Sequence, residues 1–224
     1  MNIEDIEVPF SSVLLARRNT GKSVLAEYLT NRLLELGKID VVYIFSKTAC
    51  LNNNWESIPL KYKCEDMNFK KIEKIIKKQT ITCKTKSKSK KLKNILLIFD
   101  DIIDRGGSNY ELQNLFNDLF ARGRHFKISI MLLNQYVKGI VSPTIRANID
   151  LLFISSNTNE VLNYVYNIVI YKGKKDQFVD YVNEHTIDHQ FIMYDNLTSD
   201  NTNRFYMIKA DIEYNKSRIG KNKY

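Results

Sequence analysis

The feature that most constrains this chain is a short apolar segment, followed by a polar loop and then by Gly21-Lys22-Ser23. Val13 to Leu15 predict a buried strand, and the run from Val24 to Leu29 has the spacing of an amphipathic helix. Strand, loop and helix in this order are the context that a phosphate-binding P-loop requires. The sequence therefore predicts an anion site where the N–H groups of the loop and the helix N-terminus converge.

Each residue type in this loop has a chemical role. Lys22 is expected to reach the β- and γ-phosphates, and the Ser23 hydroxyl to hold Mg²⁺. Gly21 lets the backbone pass close to the phosphates because it has no Cβ. The first position of the full motif is Ala16 instead of glycine, which is compatible with a P-loop if its φ is negative. The residues predicted to contact the nucleotide are Ala16, Arg17, Arg18, Asn19, Thr20, Gly21, Lys22, Ser23 and Val24.

A second motif supplies carboxylates. The five apolar residues from Ile95 to Phe99 predict a central parallel strand, and Asp100 and Asp101 follow at its carboxyl end. Ligands of open α/β sheets bind at that end of the strands. In this Walker B arrangement, Asp100 is predicted to bind Mg²⁺ and Asp101 to orient and deprotonate an attacking water. Two adjacent acids are also compatible with a simple turn cap, but the P-loop upstream favours the catalytic interpretation.

The remaining patterns predict an α/β fold of the P-loop NTPase (ASCE/RecA-like) class, with helices flanking a mostly parallel central sheet and a small C-terminal β extension. Residues 1–210 are expected to form one ATPase domain, and residues 211–224 a basic tail with a frayed end. The predicted helices are 22–36, 68–78, 110–121, 160–170 and 174–182, and the further strands are 40–45, 128–133, 151–154, 191–194 and 205–208.

Gln135 stands with Asn134 at the tip of the predicted strand 128–133. A polar side chain at that position can hydrogen-bond the γ-phosphate or the attacking water, so we predict a sensor role for Gln135. His185 and His189 are four residues apart, but no third metal ligand is evident. Both histidines are therefore interpreted as surface or structural residues.

The chain carries a formal charge of +9, which points to a polyanionic partner. Six lysines lie among Ser and Thr in the segment 84–93, which predicts a mobile, solvated loop. This loop is either a solubilising surface or an arm that contacts nucleic-acid phosphates. The lysines are Lys84, Lys86, Lys88, Lys90, Lys91 and Lys93.

The N-terminus lacks the pattern of a secretion signal, and no apolar run approaches the ~20 residues of a membrane span.

Four segments together resemble the genome-packaging ATPases of large DNA viruses and virophages, including the poxvirus type, in the FtsK–HerA branch of P-loop ATPases. They are the segment Ala16–Ser23, the strand ending in Asp100-Asp101, Arg122-Gly-Arg124-His125-Phe126, and the strand ending in Asn134-Gln135. The resemblance covers roughly residues 10–170. Asp101 departs from the glutamate that many relatives use as catalytic base, as Ala16 departs from the usual glycine.

The resemblance implies a homo-oligomeric ring, a pentamer or hexamer, that uses ATP and Mg²⁺ to drive double-stranded DNA into a capsid. Capsid proteins are then further partners, and the implied location is the host-cell cytoplasm (a viral factory) or the virion. An arginine from a neighbouring subunit would complete each ATPase site. Arg124 is preferred because it ends a helix after the acidic motif, and Arg122 and Arg146 are alternatives. Each is equally compatible with a structural ion pair.

Two other classes of function fit the same motifs. A P-loop kinase would transfer phosphate to a nucleotide or small acceptor, but the sequence has neither an acceptor-site signature nor an arginine-bearing lid. A DNA-binding protein that uses nucleotide only as a switch would not need the acidic pair.

Overall fold

The computed structural model describes residues 2–49, 55–84, 92–102, 110–137, 141–198 and 204–221. Within these residues, one eight-stranded sheet has the order β3-β2-β4-β5-β1-β6-β7-β8. The strands from β1 to β6 pair in parallel, whereas β7 and β8 add antiparallel at one edge. The strands are β1 Ser11–Leu15, β2 Val41–Ser46, β3 Lys63–Cys64, β4 Ile95–Asp100, β5 Ile128–Asn134, β6 Leu151–Ile154, β7 Phe191–Asp195 and β8 Phe205–Ile208.

Helices cover both faces of this sheet, which is why its central strands are apolar at nearly every position. Val13 and Leu15 point to the face covered by α2, α3, α5 and α6, and Leu14 points to the face covered by α1. None of the helices in the described ranges is long and apolar enough to cross a lipid bilayer. The helices are α1 Lys22–Glu35, α2 Phe69–Lys84, α3 Tyr110–Arg122, α4 Pro143–Ala147, α5 Asn159–Tyr166, α6 Lys175–His185 and α7 Ile212–Ser217.

The predicted fold class is confirmed, including the mostly parallel sheet and the C-terminal β extension. The differences lie at element ends and in short elements. Helix α2 continues to Lys84 instead of ending near residue 78, because the Gln79 amide anchors it to the carbonyls of Lys93 and Phe126, each at 2.8 Å. Helix α4 was not predicted; Ser142 caps it, and Pro143 supplies a preorganised first turn.

The C-terminal segment, expected to be a basic tail, contains helix α7. This helix packs on α1, the helix that follows the P-loop. Asn215 is buried there, and its amide donates to the Val24 carbonyl at 3.1 Å. Tyr214 donates to Glu35 at 2.7 Å and packs edge-on against Tyr28. The basic composition of the segment hid these tertiary contacts, which local sequence does not encode.

Asp150 connects the first residues of β1 and β6 at the amino edge of the sheet. Its Oδ2 accepts from the Ser11 N–H and from the Ser11 hydroxyl, both at 2.8 Å. The Arg124 guanidinium lies 3.5 Å from its other oxygen. Asp150 is buried, so these donors have no water to replace the carboxylate.

Asp150→Ala is therefore expected to lower the free energy of unfolding by about 1–3 kcal/mol, because it leaves the buried backbone N–H of Ser11 without its acceptor. Asp150→Asn keeps an acceptor oxygen and should cost less. Arg124→Ala should cost below about 1 kcal/mol, because the arginine side chain is 44% exposed. Urea unfolding of the three variants checks this order, and an Asp150→Ala protein as stable as wild type would contradict it.

Candidate nucleotide-binding site

The predicted motifs meet at the carboxyl ends of three adjacent strands, β4, β5 and β1. Asp100 pairs with Leu133 of β5, and Leu15 of β1 pairs with Asn134 of β5. The P-loop, the acidic pair and Gln135 therefore converge at the edge where α/β sheets bind ligands. A cleft of about 760 Å³ opens there and includes P-loop residues and both carboxylates in its lining. Its volume is in the range of small-molecule binding sites.

The backbone of the P-loop explains how Ala16 replaces glycine. Ala16 does not have a positive φ, so the condition set by the sequence is met. The left-handed residues are Asn19, with φ 59°, and Gly21, with φ 91°. The loop is tied to the sheet by the Ala16 N–H, which donates to the Asn134 carbonyl at 3.2 Å. The unusual backbone geometry is thus carried by Asn19 and Gly21, and not by Ala16, and a side chain at Gly21 would be strained.

Lys22 is buried beneath the loop. Its ammonium donates to the carbonyls of Ala16 at 2.8 Å and Arg17 at 3.2 Å. Burial lowers the pKa of Lys22, and the nearby carboxylates of Asp101 and Asp100 oppose that change. The lysine is therefore held inside the loop, from where it can exchange carbonyl partners for phosphate oxygens.

Ser23 and Asp100 join the two motifs directly. The Ser23 hydroxyl donates to the Asp100 carboxylate at 3.0 Å, across 77 positions of sequence. Burial raises the pKa of Asp100 to about 6, against the lowering effect of the Ser23 hydrogen bond; Asp101 raises it further, and Lys22 and Trp55 lower it. A hydroxyl and a carboxylate are hard oxygen ligands, so this pair fits a Mg²⁺ ion that keeps further water and phosphate ligands.

Asp101 and Gln135 form a second pair. The Gln135 amide nitrogen lies 3.2 and 3.5 Å from the two Asp101 oxygens. Asp101 is exposed, in contrast to the buried Asp100, and has a left-handed backbone with φ 47°. The Gln135 carbonyl accepts from the buried Asn157 at 3.2 Å, which fixes the position of the backbone. This geometry places one carboxylate and one amide side by side, with Asp101 in the lining of the cleft.

A buried glutamate on α1 positions a loop beside Asp100, and sequence reasoning did not identify it. Glu27 accepts from the backbone N–H of Trp55 at 3.2 Å and from the Ser57 hydroxyl at 2.8 Å. Trp55 is fully buried, with a left-handed φ of 66°, and lowers the pKa of Asp100. The sequence offered one indication of this role: Glu27 is an acidic residue on the face of α1 that packs against the sheet, and no basic residue nearby in the sequence pairs with it.

His189 is an exposed residue whose place beside the P-loop was not predicted. It lines the cleft together with Asp188, Lys209 and Ile212, opposite the P-loop. His185 instead lies on the surface of α6, where its Nδ1 is 2.8 Å from the Tyr181 carbonyl. The turn that carries His189 approaches the P-loop only through the tertiary fold, and no local pattern indicates this approach.

The three candidate arginines do not join the site of their own chain. Arg122 and Arg124 precede β5, and Arg146 precedes β6, so all three lie toward the amino edge of the sheet, opposite the P-loop. Arg122 pairs with Asp118, and Arg124 pairs with Asp150. Arg146 has no ion pair among the described residues.

The lysine segment is only partly described. Lys84 is the exposed last residue of α2, and Lys93 is exposed shortly before β4. Lys86, Lys88, Lys90 and Lys91 lie outside the described residues.

The family model described as "Poxvirus A32 protein" matches residues 4–222. The chain belongs to the poxvirus A32 protein family. One relative, "Uncharacterized protein 075L" of Invertebrate iridescent virus 6, is 31% identical over 194 residues, which are 84% of this chain and 71% of the relative.

Solved structures share the fold of this A32 family member. The DNA-packaging ATPase B204 from Sulfolobus Turreted Icosahedral Virus has a TM-score of 0.56 at 16% identity, covering 92% of this chain and 100% of that one. B204 from Sulfolobus turreted icosahedral virus 2, in complex with ATP-gammaS, has a TM-score of 0.58 at 15% identity, covering 93% and 98%. The pCW3 conjugation coupling protein TcpA has a TM-score of 0.65 at 14% identity, covering 94% and 64%.

The different surroundings of the two aspartates predict different phenotypes. Asp101→Asn should bind Mg²⁺ and nucleotide normally but hydrolyse it ~10²–10⁴-fold more slowly, because it removes a positioned base. Asp100→Asn should weaken Mg²⁺-dependent nucleotide binding itself. Calorimetric binding and phosphate release, measured on both variants, separate these effects. Equal loss of nucleotide binding in the two variants would contradict the division of roles.

Proposed function

We propose that this protein is an ATP-hydrolysing motor that translocates double-stranded DNA and packages a viral genome into a capsid. The observation that carries the proposal is the convergence of Lys22, Ser23 and Asp100 in one cleft, next to the Asp101–Gln135 pair. Membership of the A32 family supports the same function, as does the fold shared with proteins described as DNA-packaging ATPases.

The residues of the cleft divide the work of hydrolysis. Lys22 exchanges its loop carbonyls for β- and γ-phosphate oxygens, and Ser23 and Asp100 hold Mg²⁺. The ion, when bound, neutralises charge on those oxygens. Asp101 accepts a proton from the attacking water, and Gln135 orients that water through its amide. Phosphoryl transfer of this kind depends mostly on positioning and charge stabilisation.

A ring explains how an arginine reaches the site. Because the candidate arginines lie toward the edge of the sheet opposite their own P-loop, they can complete only the site of a neighbouring copy. Head-to-tail contacts close into rings, and we propose five or six copies. Arg146 is the best candidate, because within the described ranges its guanidinium has no carboxylate partner, unlike those of Arg122 and Arg124.

Duplex DNA is the proposed polyanion, and the lysine segment from Lys84 to Lys93 is the proposed arm. The +9 charge and the exposed positions of Lys84 and Lys93 support this assignment. Capsid proteins are proposed as further partners, in the host-cell cytoplasm (a viral factory) or in the virion.

One assay tests the function against its alternatives. ATP turnover is measured without DNA, with duplex DNA, and with nucleoside monophosphates, and Lys22→Ala is the inactive control. We expect turnover that duplex DNA increases. Phosphate transfer to a monophosphate would indicate a kinase instead, and ATP binding without turnover in any condition would indicate a switch.

Arg146→Ala should lower turnover of assembled rings by ~10³–10⁵-fold, as for arginine fingers supplied in trans. Mixing it with Lys22→Ala should restore part of the activity, because some interfaces then combine an intact P-loop with an intact arginine. Arg122→Ala and Arg124→Ala are the matched controls. Rescue with one of these instead, or no rescue despite co-assembly, would exclude Arg146.

Replacing the six lysines of the segment 84–93 by Ser should reduce the salt dependence of duplex binding. If three or four lysines contact phosphates, the slope of log affinity against log salt should flatten by roughly three units. Affinity should fall equally on unrelated sequences, because phosphate contacts carry no base information. Replacement by Arg keeps the charge and should keep the slope. An unchanged slope in the Ser variant would remove this segment from the DNA path.

A further inference from the structure

We infer that the nucleoside half of the nucleotide binds to a second wall of the same cleft, with His189 against the sugar and Ile212 against the base. This nucleoside wall consists of Asp188, His189, Lys209, Ala210 and Ile212. The inference rests on the proposed function, since it assigns the remaining part of the proposed ATP site.

The cleft continues from the P-loop to the nucleoside wall without a break. Gly21, Lys22 and Ser23 line one side, and the turn between α6 and β7 lines the other. The volume of about 760 Å³ falls within the range of pockets that enclose complete small ligands. With the triphosphate on the P-loop, the nucleoside must extend along a wall of this cleft.

His189 is placed directly against the P-loop. A Cβ built on Gly21 would lie 3.6 Å from His189 Nδ1 and 3.7 Å from its Cβ. Asp188 and His189 both have left-handed backbones, with φ of 54° and 60°, which non-glycine residues rarely adopt. This tight turn brings the imidazole close to the N-terminus of α1, where the α-phosphate and the sugar begin.

An ion pair joins the two segments of the wall. The Lys209 ammonium lies 2.5 Å from Asp188 Oδ2. The hydrogen bond from Lys209 holds the pKa of Asp188 below its usual range, so the side chain is a carboxylate. Its second oxygen can accept from ribose hydroxyls, the role that acidic residues have in other nucleotide sites.

Ile212 supplies an apolar surface for the base. It begins α7, lines the cleft beside Ala210 and is 55% exposed. The hydrogen bond from the Asn215 amide to the Val24 carbonyl fixes α7 on α1. The apolar surface of Ile212 is therefore held beside the helix that follows the P-loop. A flat base against Ile212 would bury apolar area that otherwise faces water.

The test compares a ligand that has a nucleoside with one that lacks it. The affinities of a non-hydrolysable ATP analogue and of inorganic tripolyphosphate, each with Mg²⁺, are measured by calorimetry on the full chain. His189→Ala and Ile212→Ser should each weaken binding of the ATP analogue about 10-fold, because each variant removes one contact to the nucleoside. Tripolyphosphate should bind as it does to wild type.

Two controls keep the result specific. His185→Ala removes an exposed histidine outside the cleft lining, and Ile187→Ser changes a residue that is 68% exposed on the same turn. Both should bind the two ligands normally. His189→Gly also removes the ring, and glycine accepts the left-handed backbone at this position. It should therefore show the same selective loss of affinity for the ATP analogue, and it replaces His189→Ala if that variant folds poorly.

Equal losses for the two ligands, or no loss for either, would overturn the nucleoside wall. A wild-type protein that binds neither ligand would overturn both this inference and the proposed function. A protein that binds the ATP analogue through His189 and Ile212, but never hydrolyses ATP with DNA, would support the wall while refuting the motor.

Discussion

The hydrogen bond from Ser23 to Asp100 is the interaction on which the rest of this site depends. It joins the P-loop to the end of β4 inside the protein, where a carboxylate has lost most of its water. This loss of hydration raises the pKa of Asp100 to about 6. A divalent cation between the hydroxyl and the carboxylate would replace the missing solvation, which is why this pair is suited to a metal-bound nucleotide.

The order of the strands makes that contact possible. Because β5 lies between β4 and β1, the acids and the P-loop flank the strand that ends in Asn134 and Gln135. Helix α1 then links the phosphate site to two distant segments, through Glu27 to Trp55 and through Val24 to Asn215. One helix thus carries Ser23 and holds both the loop beside Asp100 and the segment that contains Ile212.

Local patterns were sufficient to predict that the P-loop, the acidic pair and Gln135 lie at one edge of the sheet, because each is at the end of an apolar strand whose direction fixes that edge. Contacts between distant segments were not predictable in this way. His189 reaches Gly21 only through the position of β7 beside β6, and Asn215 is buried only because α7 docks on α1. From the sequence alone, polar residues of this kind cannot be distinguished from ordinary surface residues.

Anomalous scattering from crystals grown with Mn²⁺ and a non-hydrolysable ATP analogue would test the site most directly. We expect one Mn²⁺ peak between Ser23 and Asp100, about 2.0–2.3 Å from the Ser23 hydroxyl oxygen. The direct hydrogen bond between these residues should open, and the Lys22 ammonium should move from its loop carbonyls to phosphate oxygens. A nucleotide bound elsewhere, or an intact Ser23–Asp100 hydrogen bond with no metal peak beside it, would contradict this assignment.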